Sequence, residues 1–313
     1  MGTLLLGNGL NRCIDGYPSW DNLLSDISNE FFCNVGIEDN PLLVYDMMLC
    51  QAETEHGSAG VNSRLEELLG GLKAENMSSS DLDFLSSVQS CGLKTILTTN
   101  FDYNLEQALE ESEQSLYRGY ERKLKYSNEN RKSNIRRNEI GDLAIHHIHG
   151  ELDFPRSICL GMTRYIENLS RVRELLSCQK EVENGALYWL PIDEEIFTNP
   201  KRTRKTWAEL FFNDNVYIVG LGLTSSELDI WWLLIRRAQL IAQGSEETRP
   251  SNHIVYFPVT PADSDPFNPA SYNALQVKTK PLQVRNNDWR SAYKKIWGQI
   301  RELESKFEAA TNI

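Results

Sequence analysis

Leu93-Lys94-Thr95-Ile96-Leu97-Thr98-Thr99-Asn100-Phe101-Asp102 is the stretch of the chain that decides its fold. It begins as a short apolar run, ends in small polar residues and is followed by a helical pattern. A buried parallel strand has this form, a nearly continuous apolar run bounded by turn-forming residues. In an open α/β sheet, ligands bind outside the carboxyl ends of such strands. The sequence therefore predicts a binding edge that displays Thr98, Thr99, Asn100 and Asp102.

Length, composition and charge narrow the class of protein. A chain of 313 residues accommodates one large α/β domain, or such a domain with a helical insertion. The formal net charge of −12 argues against nucleic acid as the general partner, because phosphate binding usually leaves a basic footprint. No apolar run approaches the roughly 18–20 residues that span a bilayer, and the first residues lack the features of a signal peptide. We therefore expect a cytoplasmic protein that does not contact membranes.

The six cysteines give no sign of a metal site. No two of them are separated by only two residues, so the paired spacing of a zinc ribbon is absent. In a chain of this size without a signal peptide, we expect them to be reduced and mostly buried.

Two glycine-containing turns follow predicted strands. Thr3–Leu6 leads into Gly7-Asn8-Gly9, which is either a phosphate-binding loop or a plain strand-to-helix turn, since Arg12 replaces the third glycine of the dinucleotide fingerprint. Val216–Val219 leads into a second such turn, Gly220-Leu221-Gly222-Leu223-Thr224-Ser225. Thr224 and Glu227 have capping-box spacing for the helix over 228–241, whose N-terminus is a ready anion site. Ser225 and Ser226 suit a capping role and a ligand contact equally well.

The remaining periodicities predict the other elements. Residues 20–88 show helical spacing in three or four segments, enough to form a cap over the edge of the sheet. Further strands are expected at 143–148 and 254–257, with a short one at 157–160, and a helix at about 164–183. The closing helix begins near Asp288, and its aromatic stripe indicates core packing.

A basic segment lies between the Leu93 strand and the next one. Residues 118–137 carry eight Lys or Arg against two Glu. This composition favours a solvated loop or hairpin at about 113–140 over a docking patch for a partner or for anionic ligand groups.

Three of the five histidines crowd the end of one strand: His146, His147 and His149. Alternation along a strand places His147 and His149 on the same face. His149 directly precedes Gly150 at the end of the strand, where a histidine is well placed for acid–base chemistry near neutral pH. The alternative is a buried packing histidine.

These motifs together resemble the sirtuin-like NAD-consuming enzymes. The resemblance rests on Thr-Thr-Asn100-Phe-Asp102 before a helix, Ile-His149-Gly150, and the two glycine turns as first phosphate loop and later nucleotide loop. It covers residues from about 4 to 230. The chain departs from deacylating sirtuins in lacking zinc-ribbon cysteines, and it has Asn8 where many members carry Ala. Its helical segment at 20–90 and its Trp-rich helix at 229–234 look like those of bacterial sirtuin-like effectors of anti-phage defence, which are NAD glycohydrolases.

The resemblance implies a fold and a set of site residues. It implies a Rossmann-like parallel sheet with helices on both faces and a helical subdomain without a zinc ribbon, in one domain over 1–313. Asn100 would contact a ribose hydroxyl or the attacking water, Asp102 would accept from the nicotinamide carboxamide, and His149 would be the general base. Asn100 and Asp102 would otherwise simply cap the following helix. The residues implied to bind NAD are Gly7, Asn8, Gly9, Asn11, Thr98, Thr99, Phe101, Gly220, Gly222, Thr224 and Ser225.

The implied activity is hydrolysis of the nicotinamide–ribose bond of NAD⁺, without a metal, in an NAD-depleting effector that causes abortive infection. Such an effector implies a homo-oligomer and a separate protein partner that activates or restrains it. Three alternatives remain at this point: a module that binds NAD or ADP-ribose without turnover, an assembly subunit that docks through Trp231 and Trp232, and an NAD-dependent deacylase.

Overall fold

The helices and strands follow from a computed structural model that describes residues 2–14, 16–17, 20–33, 40–70, 77–114, 123–125, 137–181, 187–191, 206–245 and 249–311. The strands are β1 Gly2–Leu6, β2 Thr95–Thr98, β3 Lys123–Lys125, β4 Arg137–Ile140, β5 Leu143–His147, β6 Ser177–Glu181, β7 Leu187–Pro191, β8 Asn215–Val219, β9 Ile254–Phe257, β10 Val259–Pro261, β11 Val277–Thr279 and β12 Leu282–Val284. The α-helices are α1 Trp20–Glu30, α2 Pro41–His56, α3 Ser58–Gly70, α4 Ser79–Ser86, α5 Asn104–Gln114, α6 Gly161–Leu175, α7 Leu210–Asn213, α8 Leu228–Gln243, α9 Ala270–Ala274 and α10 Trp289–Thr311.

One eight-stranded sheet forms the centre of the protein. Its strand order is β11-β9-β8-β1-β2-β5-β4-β3, and the six strands from β11 to β5 run parallel. β4 and β3 add an antiparallel edge. The chain builds outward from β1 in both directions, so the strand order reverses beside β1. The prediction of a Rossmann-like, mostly parallel sheet is confirmed.

The two faces of the sheet bury two separate cores. Successive side chains of a strand point to opposite faces, so Leu4 and Leu6 of β1 join one core and Leu5 joins the other. The first core is covered by α4, α5 and α10, and the second by α8 with parts of α6 and α7. The aromatic stripe of α10 packs in the first core through Tyr293 and Trp297, as predicted.

The helices between β1 and β2 divide between two environments. Side chains of α1, α2 and α3 form a third core together with Leu152, Ile158 and Leu160, which follow β5. α4 instead packs on the sheet through Phe84 and Leu85. The predicted cap over the edge of the sheet therefore corresponds to α1–α3, which lie against the loops at the carboxyl end of β5.

Two predicted elements are wrong. The helix expected at 164–183 begins at Gly161 and ends at Leu175, and residues 177–181 pair with β7 as an antiparallel strand. The helix-favouring composition of Gln179-Lys180-Glu181 is overridden by this pairing. Residues 157–160 form no strand, because the chain passes through a short 3-10 turn, Pro155–Ser157, before α6.

Most of the basic segment lies outside the described residues. Of 118–137, the structure describes 123–125, which is β3, and residue 137, where β4 begins; these two strands pair antiparallel at the edge of the sheet. Whether the segment is a solvated loop or a docking patch stays a prediction.

Two expectations from the sequence concerned the cysteines, expected to be reduced and mostly buried, and membrane-spanning segments, of which none was expected. Cys13, Cys33, Cys50, Cys91 and Cys159 are unpaired, and Cys33, Cys91 and Cys159 are buried. Among the described helices, none has the length and apolarity needed to span a bilayer.

Candidate active site

A cavity of about 390 Å³ opens at the carboxyl ends of β1, β2, β5 and β8, where the strand order reverses. Open α/β sheets bind their ligands at this point. We call it the first cavity. It is lined by Asn8, Gly9, Arg12, Tyr17, Leu23, Pro41, Leu42, Thr99, Asn100, Phe101, His149, Cys159, Tyr165, Gly220, Leu221, Gly222, Thr224, Ser226 and Glu227.

The two glycine loops form one rim of the first cavity by packing against each other. Gly7 N donates to Val219 O (3.0 Å), and Gly9 N donates to Gly220 O (2.7 Å). A Cβ on Gly7 would lie 2.6 Å from Gly220 O, and one on Gly9 would lie 2.8 Å from the same oxygen. The glycines are therefore required because the backbones of the two loops touch. Gly9 reaches the cavity, whereas Gly7 lies behind it.

Two amide side chains present unsatisfied oxygens at the first cavity. Asn8 Oδ1 and Asn100 Oδ1 are buried, and neither accepts a hydrogen bond from any described residue. A buried carbonyl oxygen left unpaired costs about 1–3 kcal/mol. Both residues line the cavity, so this cost is recovered if a bound molecule donates to them. The two oxygens are therefore available to accept hydrogen bonds from a ligand in the cavity.

A buried ion pair holds the backbone of Asn100. His147 Nδ1 donates to Asn100 O (2.7 Å), and His147 Nε2 lies 2.7 Å from Glu106 Oε1 in α5. Both side chains are at most 2% exposed. Burial lowers the pKa of His147, but the Glu106 carboxylate and the two hydrogen bonds outweigh burial and raise the pKa to about 9. An imidazolium here donates from both nitrogens.

This pair makes stability depend on pH. A histidine whose pKa is about 9 when folded and about 6.5 when unfolded contributes stability that is complete below pH ~6.5 and lost as pH rises through ~9. We expect the free energy of unfolding to fall by about 2–3 kcal/mol more in the wild type than in Glu106→Gln between pH ~6.5 and ~9.5. Urea unfolding of wild type and of Glu106→Gln across this pH range measures the two free energies of unfolding. Equal pH dependence in the two proteins would contradict the charged pair.

His149 and His147 contact helices on opposite faces of the sheet. β5 ends at His147, and residues 148–149 turn away, so strand alternation does not extend to His149. His147 contacts α5 on one face of the sheet, whereas His149 contacts α8 on the other. The prediction that they share a face is wrong for this reason. His149 is 1% exposed and lines the first cavity.

Carboxylates surround the His149 imidazole. Its Nε2 lies 2.9 Å from Asp229 Oδ2, and its Nδ1 lies 3.4 Å from the Tyr165 hydroxyl and 4.0 Å from Glu227 Oε2. Burial lowers the pKa of His149, but the charge and hydrogen bond of Asp229 outweigh burial, so the pKa is raised overall. Burial raises the pKa of Glu227, whose Oε2 accepts no hydrogen bond from any residue described.

Sequence reasoning missed Glu227, Asp229 and Tyr165 as site residues. Glu227 was expected in a capping box with Thr224, and this is wrong: α8 begins at Leu228, Glu227 occupies the cap position, and no side chain caps it. The Asp229 carboxylate itself accepts from Ile230 N (2.9 Å), so it takes one of the N–H groups expected to bind an anion. The signal that could have identified Glu227 and Asp229 is their position shortly after the second glycine turn.

Asp102 lies behind the cavity wall. It is 4% exposed, and its Oδ2 accepts from Asn11 Nδ2 (2.8 Å) and the Tyr17 hydroxyl (2.7 Å). Its Oδ1 accepts from Asn104 N (3.0 Å) at the start of α5, as the alternative capping role requires. Burial raises its pKa. Asp102 thereby ties the first glycine loop to the end of β2, and Asn11 is used in this link.

The other residues expected to bind NAD divide between the cavity and its support. Thr99, Phe101, Gly220, Gly222 and Thr224 line the cavity. Thr98 is buried and donates to Leu6 O (3.2 Å), and exposed Ser225 lies outside the lining, where Ser226 is found instead.

A second cavity of about 590 Å³ continues from the first around the glycine loops. The two share Gly9, Arg12, Gly220, Leu221 and Gly222. The far wall of the second cavity is aromatic, and its rings are Tyr256, Phe257, Phe267, Tyr272, Trp289 and Tyr293. One exposed cation, Arg12, borders both cavities. The glycine loops and Arg12 lie where the two cavities join. Glycine-rich loops and cations bind phosphate groups, so the shape suits a ligand that has a phosphate group between two larger parts, as a dinucleotide has.

His149, Glu227 and Asp229 have ligand-type atoms within 4.8 Å of one another, a spacing that metal sites share. Hydrogen bonds already account for this spacing. Both oxygens of Asp229 accept, from His149, Asn168 Nδ2 (2.8 Å) and Ile230 N. We therefore assign His149 and Asp229 to a hydrogen-bonded network, with Glu227 beside it at 4.0 Å from His149 Nδ1.

The fold is that of an α/β protein with a candidate ligand site at the switch point of its sheet. Residues 94–280, more than half of the chain, match the family described as SIR2-like domain. The chain therefore belongs to the SIR2-like domain family, and SIR2-like domains use NAD as substrate. The matched range contains Asn100, His149 and the second glycine loop. No curated protein matches the chain.

Proposed function

We propose that the protein is an NAD⁺ glycohydrolase that cleaves the nicotinamide–ribose bond to give nicotinamide and ADP-ribose. The observation that carries the proposal is the first cavity, in which the unpaired amide oxygen of Asn100 and the imidazole of His149 meet at the switch point of the sheet. Family membership supplies NAD as the substrate class.

The cavity residues suit the demands of this cleavage. Breaking the bond develops positive charge on the ribose, as glycoside hydrolysis does. Asn100 Oδ1 is free to accept from a ribose hydroxyl or from water. His149 is the base that removes a proton from one of these, and the Glu227 carboxylate places negative charge beside it. Asp102 supports the site by fixing Asn11 and Tyr17.

The two cavities divide the substrate between them. The nicotinamide ribose would occupy the first cavity, and the adenosine would lie against the aromatic wall of the second. The pyrophosphate would lie at the glycine loops beside Arg12.

The biological role that fits this activity is NAD depletion in bacterial anti-phage defence. It rests on the sequence resemblance of the 20–90 segment and of α8, with a homo-oligomer and a separate regulatory partner as its expected assembly. In α8, Trp231 donates to Thr224 O (2.8 Å) and packs against Tyr272, with ring centroids 5.7 Å apart. This tryptophan thus contacts one residue that lines the first cavity, Thr224, and one that lines the second, Tyr272.

Nicotinamide release from NAD⁺ by the purified protein tests the proposal, with products separated by chromatography. We expect Asn100→Ala to lower the rate by about 10²-fold, the effect of removing one preorganised polar contact. The matched control is Asn213→Ala, because Asn213 is exposed on α7.

Two other outcomes would overturn the proposed activity, and a third would contradict the role of Asn100. Thermal stabilisation by NAD⁺ without product would identify a binding module. Release that requires an acylated peptide would identify a deacylase. Equal rates for wild type and Asn100→Ala would remove Asn100 from the site.

A further inference from the structure

The far side of the His149 ring is held by a fully buried acid. Asp229 is 0% exposed, and its Oδ2 accepts both from His149 Nε2 (2.9 Å) and from Asn168 Nδ2 (2.8 Å) in α6. Its Oδ1 accepts from Ile230 N (2.9 Å). Asn168 is itself buried, so the acid is fixed from two helices at once. Asp229 does not line the first cavity, whereas His149 does.

We propose that Asp229, fixed by Asn168, is a positioning residue that holds the N–H of neutral His149 at Nε2 and leaves the lone pair of Nδ1 as the working base. The inference rests on the proposed function and adds which nitrogen acts and what selects it. A carboxylate only accepts hydrogen bonds, so the nitrogen that faces it must carry a proton. Nδ1 lies on the side of Tyr165 and Glu227, both of which line the cavity.

The charges around His149 agree with this arrangement. Burial raises the pKa of Asp229, but the charge of His149 when it is protonated, the hydrogen bond from His149 and that from Ile230 N lower it more, so the pKa is lowered overall. The two hydrogen bonds to the carboxylate remain when His149 is neutral. Glu227 Oε2, at 4.0 Å from Nδ1, lies beyond hydrogen-bond range, so it does not require a proton on that nitrogen. The hydroxyl of Tyr165, at 3.4 Å from Nδ1, is the other polar group facing it.

Asp229→Asn tests the proposal because its hydrogen bonds can be satisfied in only one way. If the new amide oxygen kept the place of Oδ2, the amide NH₂ would face the N–H of Ile230, and two donors would meet. If the amide is reversed, its oxygen accepts from Ile230 N, and its NH₂ donates to His149 Nε2 and to Asn168 after that amide also reverses. His149 must then carry its proton on Nδ1.

The tautomer is read directly by ¹⁵N NMR of labelled histidine, above the pH at which the imidazolium loses its proton. The His149 signals are identified by their loss in His149→Gln. We expect protonated Nε2 in the wild type and protonated Nδ1 in Asp229→Asn. We also expect kcat for nicotinamide release to fall by about 10³-fold, with KM for NAD⁺ changed by less than about threefold.

The controls separate positioning from folding and from the proposed function. Asp142→Asn alters an exposed acid at the opposite end of β5 and should leave both readouts unchanged. Asn168→Ala keeps the carboxylate, so the Nε2–H tautomer should persist. Protonated Nδ1 in the wild type would overturn the proposal even if Asp229→Asn fails to fold, and so would an unchanged tautomer in a folded Asp229→Asn. A wild type that binds but does not cleave NAD⁺ would instead contradict the proposed function, while the tautomer readout would still decide the role of Asp229.

Discussion

Replacing His149 with glutamine is expected to lower kcat for nicotinamide release by about 10³-fold, within the range that general bases contribute. Glutamine keeps much of the volume and the polarity of the side chain but cannot take up a proton. The first cavity and the glycine loops stay in place, so NAD⁺ should still bind, and KM should change little. Steady-state kinetics gives both constants, and thermal stabilisation by NAD⁺ measures binding independently.

His56→Gln is the matched control for this prediction. His56 ends α2 and is exposed, so the same substitution there should leave kcat and KM unchanged. A rate in His149→Gln within about threefold of wild type would contradict the role of His149. Glu227 would then be the next base to test, since burial raises its pKa and its Oε2 faces no donor among the described residues.

The two buried histidines of this site show how surroundings set different roles for one residue type. His147 has hydrogen-bond partners on both nitrogens, Asn100 O and Glu106, so it has no nitrogen left for a substrate. His149 has one nitrogen held by Asp229, and the other lies on the side of the cavity with the Tyr165 hydroxyl, which also lines the cavity, 3.4 Å away. The first is therefore suited to holding Asn100 in place, and the second to chemistry.

Local sequence signals were sufficient for β1, β2, β5, β8 and β9 and for the residues at their carboxyl ends. Asn100 and His149 were predicted because each directly follows an apolar run, and strand ends meet at one edge of a parallel sheet. Asp229 was missed because its partner His149 is 80 positions away, and no local pattern records such a pairing. The same limit explains β6, whose strand pairing overrides a helix-favouring composition.

The role of Asp102 shows a different limit of sequence reasoning. Its position after β2 was predicted, but the direction of its side chain depends on Asn11 and Tyr17, which reach it from the first glycine loop. Those contacts satisfy the carboxylate before any ligand binds. A motif thus locates the backbone of a site more reliably than it assigns each side chain to the ligand.

Gly150→Ala is expected to destabilise the protein by about 3 kcal/mol or more, the effect of a strained backbone combined with a steric clash. Gly150 has φ +93°, a conformation that side chains rarely allow. An added Cβ would lie 2.3 Å from Ser157 O and 2.6 Å from Ile158 Cα, and backbone atoms cannot move aside as a side chain does. We expect Tm to fall by about 5–10 °C, as measured by calorimetry.

Gly298→Ala provides the matched control, because Gly298 lies within α10 and an added Cβ there meets no atom within 4 Å. Alanine is the better helix former, so this variant should gain about 0.5–1 kcal/mol. We also expect nicotinamide release to fall in Gly150→Ala and to stay at the wild-type rate in Gly298→Ala. Cys159 N donates to His149 O (2.7 Å), so displacing residues 157–158 away from Gly150 also displaces His149. If Gly150→Ala kept the wild-type Tm and rate, the close contact between this turn and residues 157–158 could not be what holds His149 at the cavity.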